Sequence, residues 1–311
     1  MRLFDCFTFF NELDLLEIRL NELDEVVDHF VIVDSDRTFT NRPKTGVFEE
    51  NRHRFKRFEH KIIHVCVTDM PAGRDPWKRE RFQRNAILRG LGDAGDEDYI
   101  LISDVDEIPR KSALQELIRG GGDCYGLRLW FFSLRLNNLN VAGPEVHQVW
   151  PMLVRKRLLT TPDAIRRKRF AVDAGGEGLA VDDAGWHFTS IGDTESVRAK
   201  IRSFSHQEFN RPEVVETLDV ERLLESGADL FGRPGYAWHL VDPGHWLPAS
   251  IIKNPERYEH LISPCVDPDH GDVARAALIG AAQVSRRIEG YSLAAHFRRS
   301  LAGRLRRALG R

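Results

Sequence analysis

Asp104 and Asp106 close the stretch YILISDVDEIP (residues 99–109), where an apolar run meets two carboxylates one residue apart. Residues two apart in a strand point to the same face, about 6.5 to 7 Å from each other. Two acids just beyond a strand end can therefore converge on one divalent cation. Oxygen ligands of this kind suit Mg²⁺ or Mn²⁺, which keep coordination positions open for phosphate oxygens. In another setting the same two residues are solvated acids of a turn, so the surrounding elements decide between the readings.

Those elements alternate. Leu3 to Phe10 reads as a strand, and Glu12 to Leu23 as a helix with Leu13, Leu16, Leu20 and Leu23 at three- and four-residue spacing. His29 to Asp34 and Lys61 to Val67 read as further strands, Pro76 to Leu91 as a helix, and Tyr99 to Ser103 as the strand carrying the aspartates. Strand and helix alternation predicts a mainly parallel α/β sheet flanked by helices, whose ligands gather beyond the carboxyl ends of the strands. Asn11 and Glu12, Asp34 to Asp36, Asp69 and Asp104 to Asp106 all fall at such ends, which points to a nucleotide or phosphate site.

Composition excludes other classes. At 311 residues, 42% hydrophobic and 30% charged, the chain is ordinary globular protein, and a net charge of −2 argues against a nucleic-acid binder. Cys6, Cys66, Cys124 and Cys265 are too scattered for a zinc site or a dense disulfide framework. No signal segment or long apolar run is evident, so a cytoplasmic location is expected.

Beyond residue 120 the pattern loosens. Tyr125 to Leu136 is aromatic and strand-like, Arg155 to Arg169 basic, Ala174 to Gly178 a glycine-rich turn, 196 to 226 helical, and 234 to 248 a loop. From Arg286 to Arg311 there are eight arginines against one glutamate, with Leu293, Phe297, Leu301 and Leu305 at four-residue spacing. This predicts a basic amphipathic helix, either packed on the domain or in peripheral contact with the inner face of a membrane. The expected division is a catalytic domain over 1–260 and a C-terminal helical extension over 261–311.

Five ordered segments, FDCFTFFNELDLLEIRLNEL, VVDHFVIVDSDRTF, DPWKRERFQRNAI, SDVDEIPR and AGWHF, lie between about residues 3 and 190. Together they resemble glycosyltransferase family 17, the group of the β-1,4-mannosyl-glycoprotein β-1,4-N-acetylglucosaminyltransferases. The resemblance implies a GT-A type, Rossmann-like fold and an inverting transfer from a nucleotide sugar, UDP-N-acetylglucosamine, to a glycan acceptor. It implies that Asp106 binds Mn²⁺ or Mg²⁺ directly, with Asp104 reaching the metal through water or holding the donor ribose, and His187 completing the metal or diphosphate site. Glu107 would orient these ligands. Glu12, Asp34 and Ser35 lie where the nucleoside is expected, and Arg84 and Asn85 where the donor sugar or phosphates approach. Arginine supplies paired planar donors to phosphate.

A pyranose offers apolar faces to aromatic rings, so a wall drawn from Trp77, Trp130, Phe131, Phe132 and Trp186 is expected, with Trp186 and Trp130 first. Glu145, Glu177, Asp183 and Glu208 are all candidates for the general base that takes the acceptor proton. His206 has no role that the residues assign. An arginine- and alanine-rich composition fits a GC-rich bacterial genome, and with no evident anchor the acceptor is expected to be a lipid-linked or cell-surface saccharide precursor.

Two other readings compete. A haloacid-dehalogenase-like phosphatase also uses two aspartates with Mg²⁺. It expects Thr or Val two places after the second aspartate, where Ile108 stands here, and carries its motif on the first strand, whereas three strand-like segments precede this one. A sugar- or nucleotide-binding module without turnover is separated from an enzyme by donor hydrolysis.

Overall fold

A computed structural model describes residues 1–143 and 145–265. The basic tail from Arg286, and nearly all of the expected extension 261–311, lie outside the described residues. Four strands, β1 (Leu3–Thr8), β2 (His29–Ser35), β3 (Ile62–Val67) and β4 (Tyr99–Asp104), run parallel in the order β3-β2-β1-β4. β1, β2 and β4 are apolar almost throughout because both faces of a parallel sheet are covered.

Alternate residues feed two cores. Leu3, Phe7, Phe30, Ile32 and Leu101 pack with Leu16, Leu20 and Leu23 of α1 (Leu13–Leu23) and Phe48 of α2 (Val47–Asn51). On the opposite face Phe4, Cys6, Val31, Val33, Ile100 and Ile102 pack with Ala86 and Ile87, just past α3 (Pro76–Asn85). The crossover leaving β1 thus covers one face and the crossover entering β4 the other. Connections part at the carboxyl ends of β1 and β4, where open α/β sheets leave a crevice.

The chain continues through β5 (Glu107–Pro109), α4 (Lys111–Gly120), β6 (Cys124–Ser133), β7 (Asn138–Ala142), β8 (His147–Arg155), α5 (Pro162–Arg167), α6 (Arg169–Asp173), β9 (Leu179–Val181), β10 (Gly185–Thr189), α7 (Thr194–Ser203) and β11 (Ala237–Leu240). The sheet extends from β4 as β8-β6-β7-β11. β8 is antiparallel to β4 and β6, while β9 and β10 run parallel to β6. A parallel half joined to a mixed half is the GT-A type architecture. A separate cluster, Leu134, Val197, Ile201, Val215 and Leu224, seats α7 and the short helices after it.

Three elements differ from expectation. The helix expected over 76–91 ends at Asn85 and tightens into a 3-10 turn, Ala86–Gly90. Gly90 there lies so close to the sheet that a Cβ would sit 2.5 Å from Val31. The loop expected over 234–248 contains β11, which pairs with β7, and a turn of helix, Pro243–Trp246. β5 forms directly after the Asp-Val-Asp turn and pairs with β10. None of the described helices is long and apolar enough to cross a membrane.

Candidate active site

The carboxyl ends of β1, β2, β4 and β10 open into a cleft of about 780 Å³. Its floor is the turn Val105–Asp106 between β4 and β5, and an arginine beneath holds that turn. Arg19 on α1 is fully buried and is matched by Asp5 of β1, also fully buried, whose Oδ2 accepts from Nε at 2.8 Å. Arg19 Nη1 donates to the carbonyls of Glu107 at 2.7 Å and Asp104 at 3.1 Å, and Nη2 to Ser103 Oγ at 2.6 Å. One guanidinium therefore fixes the backbone on either side of the two aspartates. It stands in the apolar stripe of its helix beside Leu16, Leu20 and Leu23, and Asp5 interrupts an otherwise apolar strand. That double anomaly was the sequence signal for the pair.

Asp104 ends β4 opposite Thr8, whose hydroxyl donates to Oδ1 at 2.8 Å. Arg84 Nη2 reaches the same oxygen at 3.3 Å, Arg166 Nη2 reaches Oδ2 at 3.3 Å, and Glu107 Oε2 accepts the Asp104 N–H at 3.0 Å. Burial works against ionisation here, but the Arg84 and Arg166 guanidiniums outweigh it and hold the carboxyl well below the usual range. Arg166 also pairs with buried Glu107, and Arg84 with Glu80 at 2.7 Å and Asp163 at 3.2 Å.

Asp106 faces another set. Lys200 of α7 lies 2.8 Å from Oδ2 and 3.4 Å from Glu12 Oε1. His187 Nε2 lies 3.8 Å from Oδ1. Burial raises the Asp106 carboxyl despite Lys200 and His187, and it lowers His187, favouring the neutral ring. Lys200 stays charged because Asp106 and Glu12 outweigh its burial. Gly185 brings β10 into place. Its φ of 150° and a Cβ that would meet Ile108 O at 2.2 Å leave room for no other residue, and the register then sets His187 opposite Glu107.

Asp106 and His187 could hold a divalent cation whose remaining ligands are oxygens of a bound phosphate. At 3.8 Å the two are too far apart for a hydrogen bond. His187 Nδ1 is buried with no hydrogen-bond partner among the described residues; a ring protonated there turns a lone pair toward Asp106, an arrangement that a shared cation relieves. Asp104 stands apart from this pair. No group of three or more such ligands is found among the described residues, because Asp104 is turned to Thr8 and the two arginines.

Other expected residues divide. Asp104, Asp106, Glu107, Glu12, Ser35, Arg84 and His187 line the cleft; Asp34, Asn85 and Trp186 do not. Asp34 is fully buried within β2, with Oδ1 3.0 Å from His64 Nε2. Asn85 Oδ1 accepts from Asp163 N at 3.0 Å and so steadies the start of α5. Trp186 is 2% exposed and donates to the Trp246 carbonyl, with Arg110 4.2 Å over its ring. Neighbours on a strand face opposite ways, so His187 in the cleft puts Trp186 and Phe188 in the core.

The same alternation corrects the aromatic wall. Trp130 pairs in register with Trp186, and Phe131 with His187. Phe131 and Trp77 line the cleft, while Trp130 and Phe132 do not. Among the base candidates, Glu145 and Glu208 line it, held by Arg233 at 2.9 Å and His206 at 2.6 Å. Glu177 is not among the lining residues, and Asp183, also outside the cleft, binds Arg110 and Trp130. Lys200, Arg166, Arg169, Glu80 and Asp163 line the cleft without having been singled out from sequence.

Comparison with known proteins follows the same lines. The chain is 24% identical to the β-1,4-mannosyl-glycoprotein 4-β-N-acetylglucosaminyltransferases of Mus musculus and Homo sapiens. The matches cover 84% and 83% of this chain and 54% of each relative, so the chain spans about half the length of the curated relatives it matches. Among solved structures, a mannosyltransferase from Pyrobaculum calidifontis in complex with GDP-Man and Mn²⁺ is similar at 16% identity and a TM-score of 0.38, covering 98% of this chain and 80% of that one. The sequence profile of glycosyltransferase family 17 matches residues 1–239, and the chain belongs to that family.

Proposed function

We propose that this chain transfers N-acetylglucosamine from UDP-N-acetylglucosamine to a saccharide acceptor, with inversion and with Mn²⁺ or Mg²⁺ held by Asp106 and His187. The observation that carries the reading is the opposition of Asp106 and His187, beside an Asp104 held ionised, at the crevice where a parallel α/β sheet takes nucleotides. When bound, the cation stabilises the charge of the departing diphosphate. Lys200 places a second positive charge against Asp106, available to the same leaving group. Ser35, Lys44, Arg84 and Asp104 line the cleft, and in this reading the first two meet the nucleoside and the last two the sugar. Glu145 or Glu208 takes the acceptor proton.

The acceptor we propose is a lipid-linked or cell-surface saccharide precursor met at the inner face of a membrane, a reading supported by the basic C-terminal sequence. A panel of nucleotide sugars, followed for Mn²⁺-dependent hydrolysis and thermal stabilisation, tests the donor. UDP-N-acetylglucosamine is expected to be both stabilising and cleaved. Stabilisation by it without cleavage would establish a binding module, and selection of another sugar would overturn the donor.

A further inference from the structure

Arg169 opens α6 and lines the cleft. Its guanidinium lies over the Trp150 ring at 5.0 Å and the Phe170 ring at 4.7 Å. Its neighbours Arg84, Arg166 and Arg167 each hold a carboxylate, respectively Asp104, Glu107 and Asp163. No carboxylate comes within ion-pair reach of Arg169 among the described residues. Burial first, and then the Arg166 charge, push it down to about 10, against the opposing pull of Glu107 and Asp104.

Trp150 supplies a second, independent observation. Its indole N–H is buried with no acceptor among the described residues, as is Arg166 Nε. The Trp150 ring meets His187 edge-on at 4.3 Å, so Arg169 stands one ring removed from the proposed metal ligand. Leaving a buried donor unmet costs free energy, and so does a half-buried charge without a counter-ion. An oxyanion with several acceptor oxygens relieves both.

We propose that Arg169 and the Trp150 N–H form a phosphate subsite of the cleft. The inference rests on the glycosyl-transfer reading, which makes a phosphate-bearing substrate the occupant. That phosphate belongs either to the donor diphosphate or to a phosphate-linked acceptor, and the chemistry of recognition is shared.

The test titrates the full chain, with Mg²⁺ present, against inorganic pyrophosphate, UDP and uridine, as wild type, Arg169→Met and Arg169→Lys. Arg169→Met keeps an unbranched stem over Trp150, and equal melting temperatures establish that it folds. Pyrophosphate affinity is expected to fall about tenfold or more in Arg169→Met and to recover in part in Arg169→Lys, with uridine unchanged. A parallel fall for UDP assigns the phosphate to the donor, while UDP unchanged beside a fall for pyrophosphate assigns it to the acceptor. Arg169→Met binding both as tightly as wild type overturns the subsite and leaves the glycosyl-transfer reading standing. A wild type that binds neither ligand ends that reading, and this inference with it.

Discussion

Replacing Arg19 by Met separates the fold from its site more cleanly than any change to the aspartates themselves. The substitution strands Asp5, which is fully buried with no water to reach it. Breaking a buried ion pair from one side costs about 3–5 kcal/mol. The carbonyls of Asp104 and Glu107 and the Ser103 hydroxyl lose their donor in the same step, at about 1–3 kcal/mol each where nothing replaces it. These losses share one network and do not add, so the expected cost is about 3–5 kcal/mol. At roughly 2–4 °C per kcal/mol for a chain of this size, melting drops by roughly 6–20 °C.

The double variant Asp5→Leu, Arg19→Met removes the stranded charge, and a buried ion pair replaced by apolar side chains is often neutral or stabilising. It should regain most of the stability yet not the activity, because the carbonyls flanking Asp106 remain unheld. Urea unfolding and Mn²⁺-dependent donor hydrolysis on both variants read the two quantities separately. A single variant within about 1 kcal/mol of wild type, or a double variant with full turnover, would refute the claim that Arg19 positions the turn.

Gly185→Ala should destabilise by roughly 1–3 kcal/mol through its backbone conformation alone, and further because the new Cβ meets Ile108 O at 2.2 Å. Thermal melting checks this, and an unchanged midpoint would mean that β10 does not approach β5 as described. Asp229 tests pH dependence. Burial opposes its ionisation, but Arg233 and the backbone N–H groups of Arg233 and Phe231 hold its carboxyl below the usual value. Its contribution is therefore complete above the unfolded pKa of about 3.9 and is lost as pH falls through the lower folded value. Asp229→Asn should flatten the acid side of a melting profile run from pH 7 to 3, and a profile parallel to wild type would contradict the assignment.

The parallel half of the sheet was legible because β1, β2 and β4 are buried on both faces and read as continuous apolar runs. The turn after β4 was legible because two acids one residue apart stand out from such a run. Lys200 was not, since 94 residues separate it from Asp106 and no local pattern marks α7 as the element that returns to the cleft. β11 was missed for a related reason: four residues, Ala237–Leu240, become a strand only by pairing with β7. The placement of Trp186 was within reach of sequence alone. Adjacent residues of one strand cannot share a face, so a cleft that holds His187 excludes the tryptophan before it.

Mn²⁺ uptake by the full chain in the presence of UDP, measured on wild type and on Asp106→Asn, tests the central claim most directly. The account predicts that wild type binds Mn²⁺ and UDP together, each strengthening the other, and that Asp106→Asn folds normally but loses this mutual enhancement. UDP bound equally well without the metal, or equal Mn²⁺ uptake by the variant, would contradict it.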